Sequence, residues 1–126
     1  MTENKDAKAL VSTYPTVPLT VDCVIFSFEE NALKVLLIKS DLAQFQDKLT
    51  LLGDNVQIHE DLDTAANRVL KERTGMNNVY LEQVQTFSKP DRHPGGRVIT
   101  TVYASLLNIK HHELIIHDNE LKWHHV

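Results

Sequence analysis

The residues of this chain best suited to phosphate or metal chemistry lie between Leu51 and Met76. In this stretch Glu60 and Glu72 stand on either side of Arg68. Carboxylate oxygens are the ligands that hard cations such as Mg²⁺ and Mn²⁺ prefer, and an ion held by them polarises a phosphoryl group and activates water. Such a site needs several carboxylates on one face of a helix, which spacings of three and four residues provide.

One helix is predicted to position these residues. Glu60 and Asp61 open it, with Asp63 in the first turn, where carboxylates offset the positive end of the helix dipole, and Gly75 closes it. Taken alone, the pattern is typical of an ordinary amphipathic core helix. The apolar residues that recur at helical spacing, and so form one stripe facing a core, are Leu62, Ala65, Ala66, Val69 and Leu70.

The same stretch resembles a family motif, the Nudix box, written GX5EX7REUXEEXGU, in which U is a bulky aliphatic residue. The stretch aligns with this motif without gaps. The positions that fit are Glu60, Arg68, Leu70, Glu72, Gly75 and Met76, and those that do not are Asp54, Val69 and Arg73. The resemblance favours a Nudix fold with impaired chemistry.

Three of these positions decide what the resemblance implies about catalysis. Nudix hydrolases hold Mg²⁺ or Mn²⁺ against a diphosphate with clustered Glu residues, which would fall here at positions 69, 72 and 73. The chain has Val69, Glu72 and Arg73 instead, which leaves one carboxylate beside a cation. The implied catalytic residues are Glu60, Arg68 and Glu72, with a weak metal site at Glu72. The implied cofactor is Mg²⁺ or Mn²⁺ if the domain is active, and otherwise none.

A loop rich in glycine and charge is predicted after the helix, over residues 88–97. Its composition alone is typical of a mobile connection with solvated charges. The segment Asp91-Arg92-His93-Pro94-Gly95-Gly96-Arg97-Val98-Ile99 resembles the DRDPRGRVV segment of Nudix sensor domains in bacterial transcription regulators, which respond to ADP-ribose or to sugars such as arabinose. Guanidinium groups suit anionic oxygens, and glycines allow a ligand close to the backbone. The implied ligand-binding residues are Asp91, Arg92, Gly95, Gly96 and Arg97.

The strands around these motifs predict the remaining architecture. Residues 1–17 are expected to form an N-terminal arm, and residues 18–126 one Nudix-like domain. The resemblance covers nearly all the chain from Leu19 onward. It implies an α/β/α sandwich with a mixed β-sheet, C-terminally truncated, because the final helix and the winged-helix domain of the regulators are missing. The predicted strands are 19–28 and 33–39, which form a hairpin, 78–87 and 97–107.

Composition narrows the possible functions. A chain of 126 residues, 42% of them hydrophobic, is large enough for one domain with its own core. A net charge of −4 argues against nucleic-acid binding by this chain alone, and no segment is apolar enough to span a membrane. Cys23 is expected to be a buried small hydrophobe, and a single cysteine favours the cytoplasm. The paired histidines of the tail are expected to be surface residues, since neighbours on a strand point to opposite faces.

Three functions follow from these patterns. The first is a ligand-sensing domain that binds ADP-ribose or a related nucleotide-sugar or sugar-phosphate molecule, with little or no hydrolysis. The second is a Mg²⁺- or Mn²⁺-dependent hydrolase resembling ADP-ribose pyrophosphatases, in which Glu82 or Glu113 completes the metal site. The third is a fold retained for dimerisation alone, and a homodimer is compatible with all three.

Overall fold

The computed structural model describes residues 15–39, 48–108 and 121–126. The first fourteen residues of the predicted arm lie outside these ranges, as do Glu113 and the histidines at positions 111, 112 and 117. The elements, in chain order, are β1 (Leu19–Glu29), β2 (Ala32–Lys39), β3 (Leu49–Thr50), β4 (Leu52–Asn55), α1 (Leu62–Thr74), β5 (Glu82–Phe87), β6 (Ile99–Leu107) and β7 (Leu121–His125).

All of these strands belong to one mixed sheet. Its order is β3-β2-β1-β6-β5, with β4 paired to β1 and β7 paired to β2. The central pair, β1 and β6, is parallel, and the other pairs are antiparallel. β4 pairs with the first half of β1, and β2 pairs with the second half. The predicted α/β class with a mixed sheet is confirmed.

The predicted hairpin at the start of the domain is also confirmed. β1 and β2 pair in an antiparallel register, from Phe26 opposite Val35 to Glu29 opposite Ala32. The two residues between the strands, Glu30 and Asn31, have φ values of 52° and 61°. Positive φ at both central residues matches the twist of the flanking strands and so closes a two-residue hairpin.

The two faces of β1 have different environments. Val21, Cys23, Ile25 and Ser27 are buried on the face that α1 covers, and the Cys23 thiol lies 3.5 Å from the carbonyl oxygen of Ala66 in that helix. Burial raises the pKa of Cys23 to about 12, which keeps the thiol protonated. Cys23 therefore behaves as the buried small hydrophobe that the sequence predicts. The even-numbered side chains of β1 point to the opposite face of the sheet.

Helix α1 begins and ends where the sequence predicts. The Asp61 side chain caps it by accepting a hydrogen bond of 2.8 Å from the backbone N–H of Thr64. Gly75 ends it in the left-handed conformation, with a φ of 75° and its N–H bonded to the Lys71 carbonyl. Among the described residues, no helix is long and apolar enough to cross a membrane. The residues of α1 buried against the sheet are Ala65, Ala66, Val69, Leu70 and Thr74.

Two predicted strands start later than the sequence pattern indicates. β5 begins at Glu82 instead of Asn78, because Asn78 has a φ of 57°, which is incompatible with an extended strand. β6 begins at Ile99 instead of Arg97, whose side chain bonds back to the carbonyl of Ser88 across the preceding loop. In both cases the alternating side chains predict a longer strand, and the geometry of the preceding loop makes the strand start later.

Candidate functional site

Arg68 is the centre of a polar cluster on the outer side of α1. Its Nε donates to both carboxylate oxygens of Glu60, at 3.2 and 3.1 Å, and its Nη2 donates to Glu60 Oε1 at 2.8 Å. Nη2 also donates to the backbone carbonyl of Asn55 at 2.8 Å. Nη1 lies 3.3 Å from Asp54 Oδ2 and 3.3 Å from Glu72 Oε2. One guanidinium thus ties the helix to the loop before it and to three carboxylates.

The Arg68–Glu60 pair is shielded, whereas the other two carboxylates face solvent. The Glu60 side chain is 5% exposed, compared with 43% for Asp54 and 57% for Glu72. Hydrogen bonds from Arg68, and then from the backbone N–H of Gln57 at 2.8 Å, hold the pKa of Glu60 below its usual range. Bonding to Glu60 likewise raises the pKa of Arg68. Both groups therefore stay charged and remain hydrogen-bonded to each other.

The box positions that hold metal in Nudix hydrolases do not fit a divalent ion here. Val69 is 1% exposed and packs in the core, so position 69 offers no oxygen to solvent. Glu72 accepts from Arg68 at 3.3 Å, and the next residue, Arg73, is a second cation. Within the described ranges, no three His, Cys, Asp or Glu side chains lie together in a way that would hold a metal ion. The donor set suits an ion-paired cluster better than a hard cation.

The loop between β5 and β6 brings two arginines back onto the end of the sheet. Arg92 Nη2 donates to the carbonyl of Val98 at 3.1 Å and to Thr100 Oγ1 at 2.7 Å. Arg97 Nη2 donates to the carbonyl of Ser88 at 3.2 Å. Both arginines remain solvent-exposed, as do Asp91, Gly95 and Gly96. These contacts leave further guanidinium N–H groups of each arginine for an anion.

Gly96 shows why this loop carries glycine. Its φ of 126° belongs to a region that side chains with a Cβ rarely adopt. The turn is closed by the Gly96 N–H, which donates to the His93 carbonyl at 3.3 Å, and by the Gly95 N–H, which donates to His93 Nδ1 at 3.1 Å. The glycine pair thus shapes the loop, and the space around Gly96 is open.

The structure adds polar residues that the sequence patterns did not single out. On the face of the sheet opposite α1, the hydroxyls of Thr20 and Thr100 lie 2.6 Å apart, and Arg92 donates to the second of them. Asp22 is two residues along β1 on the same face and is partly buried. Burial raises the pKa of Asp22, and the charge of Arg92 opposes that shift. The feature of the sequence that could have identified Asp22 is its position as the one carboxylate within the apolar run at the start of β1.

A further polar contact fixes the start of α1 against the sheet. The phenol of Tyr103, which is buried in β6, donates to Asp63 Oδ1 at 2.5 Å. Burial, and then the bond to Asp63, raises the pKa of Tyr103. This contact holds the N-terminal end of α1, which follows Glu60, against the sheet.

Residues 16–126 match the family model of the NUDIX domain. The chain belongs to the NUDIX domain family. It is 35% identical over 115 residues to the ADPR responsive transcriptional repressor NtrR of Acinetobacter baylyi, which covers 89% of this chain and 46% of the repressor. It is 36% identical over 70 residues to an ADP-ribose pyrophosphatase of Methanocaldococcus jannaschii, covering 56% of this chain and 41% of that enzyme. The chain thus spans less than half the length of these two relatives.

Among solved structures, the NUDIX domain of Shewanella oneidensis NrtR complexed with ADP ribose is similar to this chain. The two superpose with a TM-score of 0.78 at 28% identity, over 98% of this chain and 82% of that one. The Nudix-type fold and the predicted resemblance to the sensor domains of ADP-ribose-responsive regulators are both confirmed. The relatives include a repressor and a hydrolase.

Proposed function

We propose that this NUDIX domain binds ADP-ribose, or a related nucleotide-sugar or sugar-phosphate metabolite, and hydrolyses it little or not at all. The observation that carries the proposal is the cluster around Arg68. Its guanidinium engages Glu60, Asp54 and Glu72, while Val69 is buried where a metal-binding carboxylate would be needed. Catalysis of diphosphate hydrolysis in this family depends on a divalent ion that activates water, and the residues around Arg68 are poorly suited to hold one.

The β5–β6 loop supports the binding half of the proposal. Arg92 and Arg97 place two permanent positive charges at one end of the sheet, and each retains N–H groups beyond those bonded within the loop. A diphosphate offers several anionic oxygens at the spacing of a guanidinium fork. The Acinetobacter repressor is responsive to ADPR and the Shewanella NUDIX domain is complexed with ADP ribose, so both relatives favour the same ligand.

Isothermal titration calorimetry in EDTA tests this proposal. ADP-ribose, ADP, AMP and free pentoses are titrated into the full chain, and we expect saturable binding of at least one without added metal. Arg97→Gln should weaken binding at least tenfold, whereas Lys89→Gln, which removes one charge from the same exposed loop, should change it less than twofold. The absence of binding to every ligand would overturn the proposal.

The second candidate function is an active ADP-ribose pyrophosphatase, favoured by the match to the archaeal enzyme. Asp54 and Glu72 are exposed carboxylates on either side of Arg68, and release of that arginine would free them for a metal ion. Release of AMP and ribose 5-phosphate from ADP-ribose with Mg²⁺ or Mn²⁺, lost in Glu72→Gln, would establish this function instead. No turnover at high protein concentration would exclude it.

The proposal includes expectations about partners and location. With a net charge of −4, the chain alone should not bind DNA, and a gel-shift titration checks this. We expect the protein to work in the cytoplasm, as its single cysteine suggests. Sedimentation with and without ADP-ribose would show whether it forms a homodimer and whether the ligand affects the assembly.

A further inference from the structure

The Asp22 carboxylate has no hydrogen-bond donor among the described residues, although it is partly buried. It points to the face of the sheet opposite α1, since its neighbours Val21 and Cys23 are buried on the helix side. Its oxygens keep contact with solvent, since the buried side-chain oxygen and nitrogen atoms without a partner in the described ranges are Ser27 Oγ and His124 Nε2. The carboxylate is therefore available to hydrogen-bond donors of a ligand that approaches this face of the sheet.

The residues around Asp22 form a cradle with mixed chemistry. In the strand register Asp22 lies beside Gly53 of β4 and Val102 of β6, while Thr20 lies beside Thr100 in the adjacent row. The Arg92 guanidinium donates to the Thr100 hydroxyl, and its positive charge partly offsets the effect of burial on the pKa of Asp22. An acceptor, a pair of hydroxyls and a cation therefore share one end of one face.

Gly53 is part of this cradle because it leaves the space that the carboxylate occupies. A Cβ at position 53 would lie 2.1 Å from Asp22 Oδ1 and 2.9 Å from the carbonyl oxygen of Val21. Any side chain at this position would push the carboxylate away from its place over β4. Phe87, opposite Thr100 in the register of β5 and β6 and 40% exposed, adds an apolar surface beside the hydroxyls.

A ligand that satisfies this cradle must donate hydrogen bonds to Asp22 and present anionic oxygens to Arg92. A ribose joined to a phosphate does both, since its vicinal hydroxyls donate to a carboxylate while the phosphate accepts from a guanidinium. We propose that Asp22 accepts hydrogen bonds from ribose hydroxyls of the bound nucleotide, with Arg92 on the adjoining phosphate and Gly53 making the necessary room. This inference rests on the proposed function and names the part of the ligand that Asp22 selects.

Two variants perturb the cradle in different ways. Asp22→Asn keeps the shape of the side chain and removes the acceptor charge, while Gly53→Ala leaves the charge and displaces the carboxylate. Glu30→Gln is the matched control, because it removes one carboxylate from the exposed hairpin turn at the other end of β1. A cooperative thermal unfolding transition shows that each variant is folded. If Asp22→Asn does not fold, binding by Gly53→Ala still tests the inference.

Calorimetry in EDTA with ADP-ribose, ADP and 2′-deoxy-ADP gives the test. For ADP-ribose we expect a loss of at least tenfold in both cradle variants and less than twofold in Glu30→Gln. If the loss caused by Asp22→Asn vanishes with ADP, Asp22 binds the terminal ribose. If it persists with ADP and vanishes with 2′-deoxy-ADP, Asp22 binds the ribose of the adenosine.

Two results would overturn the inference and leave the proposed function standing. The first is wild-type binding of ADP-ribose that neither cradle variant weakens. The second is an equal loss for all three ligands, which would mean that Asp22 acts only through the position of Arg92. If the wild-type chain binds none of the three ligands, the proposed function fails and this inference fails with it.

Discussion

Restoring the family glutamate at position 69 tests whether the hydrophobic core now requires an apolar side chain at this position of the motif. Val69 is 1% exposed and belongs to the hydrophobic core, so Val69→Glu removes about 2 kcal/mol of apolar burial. It also places a carboxyl group without a partner in the core, at a cost of at least about 2 kcal/mol. With an unfolding entropy of about 2.1 cal/mol/K per residue, a total near 4 kcal/mol lowers Tm by about 15 °C.

Circular dichroism melts and a hydrolysis assay measure the two consequences together. Val69→Ala is the control for lost packing, and it should cost about 2 kcal/mol and about 8 °C. Arg73→Glu restores the other missing carboxylate at a half-buried position in the last turn of α1, where we expect a cost below about 1 kcal/mol. Neither Val69→Glu nor Arg73→Glu alone should release AMP from ADP-ribose, because each restores only one of the two missing carboxylates. A Val69→Glu protein that is as stable as the wild type and cleaves ADP-ribose with Mg²⁺ would refute the reasoning.

Three further predictions concern stability. Asp61→Ala removes the N-cap of α1, and the midpoint of urea unfolding should fall at pH 7; because the bond to Thr64 lowers the pKa of Asp61, this contribution should disappear as pH falls through the folded-state pKa. Gly75→Ala forces a Cβ into the left-handed region at φ 75° and should cost about 1 kcal/mol by the same measurement. Asp22→Asn should raise Tm at pH 7, because burial raises the pKa of Asp22 and its charged form therefore destabilises the folded protein. The wild-type protein is most stable, with respect to this group, below the unfolded-state pKa of Asp22, and it loses that stability as pH rises through the folded-state pKa. The gain in Tm from Asp22→Asn should therefore shrink in acid.

The helix and the first hairpin could be predicted from the sequence because local chemistry fixes both. A capping carboxylate at Asp61 and a C-terminal Gly75 bound the helix, and the apolar stripe between them selects the face that packs. Alternating burial in β1 likewise follows from residues two apart. The family motif adds the identity of the fold, since it depends on the spacing of residues that the helix brings together.

The cradle around Asp22 could not be predicted, because it depends on three strands distant in sequence. Asp22 lies beside Gly53 through the pairing of β1 with β4. The parallel pairing of β1 with β6 places Thr20 beside Thr100, to which Arg92 of the loop before β6 donates. No pattern within β1 contains that register. The start of β5 was misplaced for a related reason, since the φ of 57° at Asn78 reflects the turn that leaves α1 and not the alternation of the strand.

Under our proposal, the arrangement around Arg68 explains how a NUDIX domain can lose metal chemistry and keep its fold. The shielded contact is the one to Glu60, and the same guanidinium holds the carbonyl of Asn55, so this arginine fastens the loop after β4 to α1. Neither contact needs an ion, and neither involves Val69 or Arg73. A substitution at either of those two positions therefore removes an oxygen donor without loosening the attachment to α1 of β4, the strand that carries Asp54. Under our proposal, this separation between the residues that hold the scaffold and those that hold the metal allows binding to persist without cleavage.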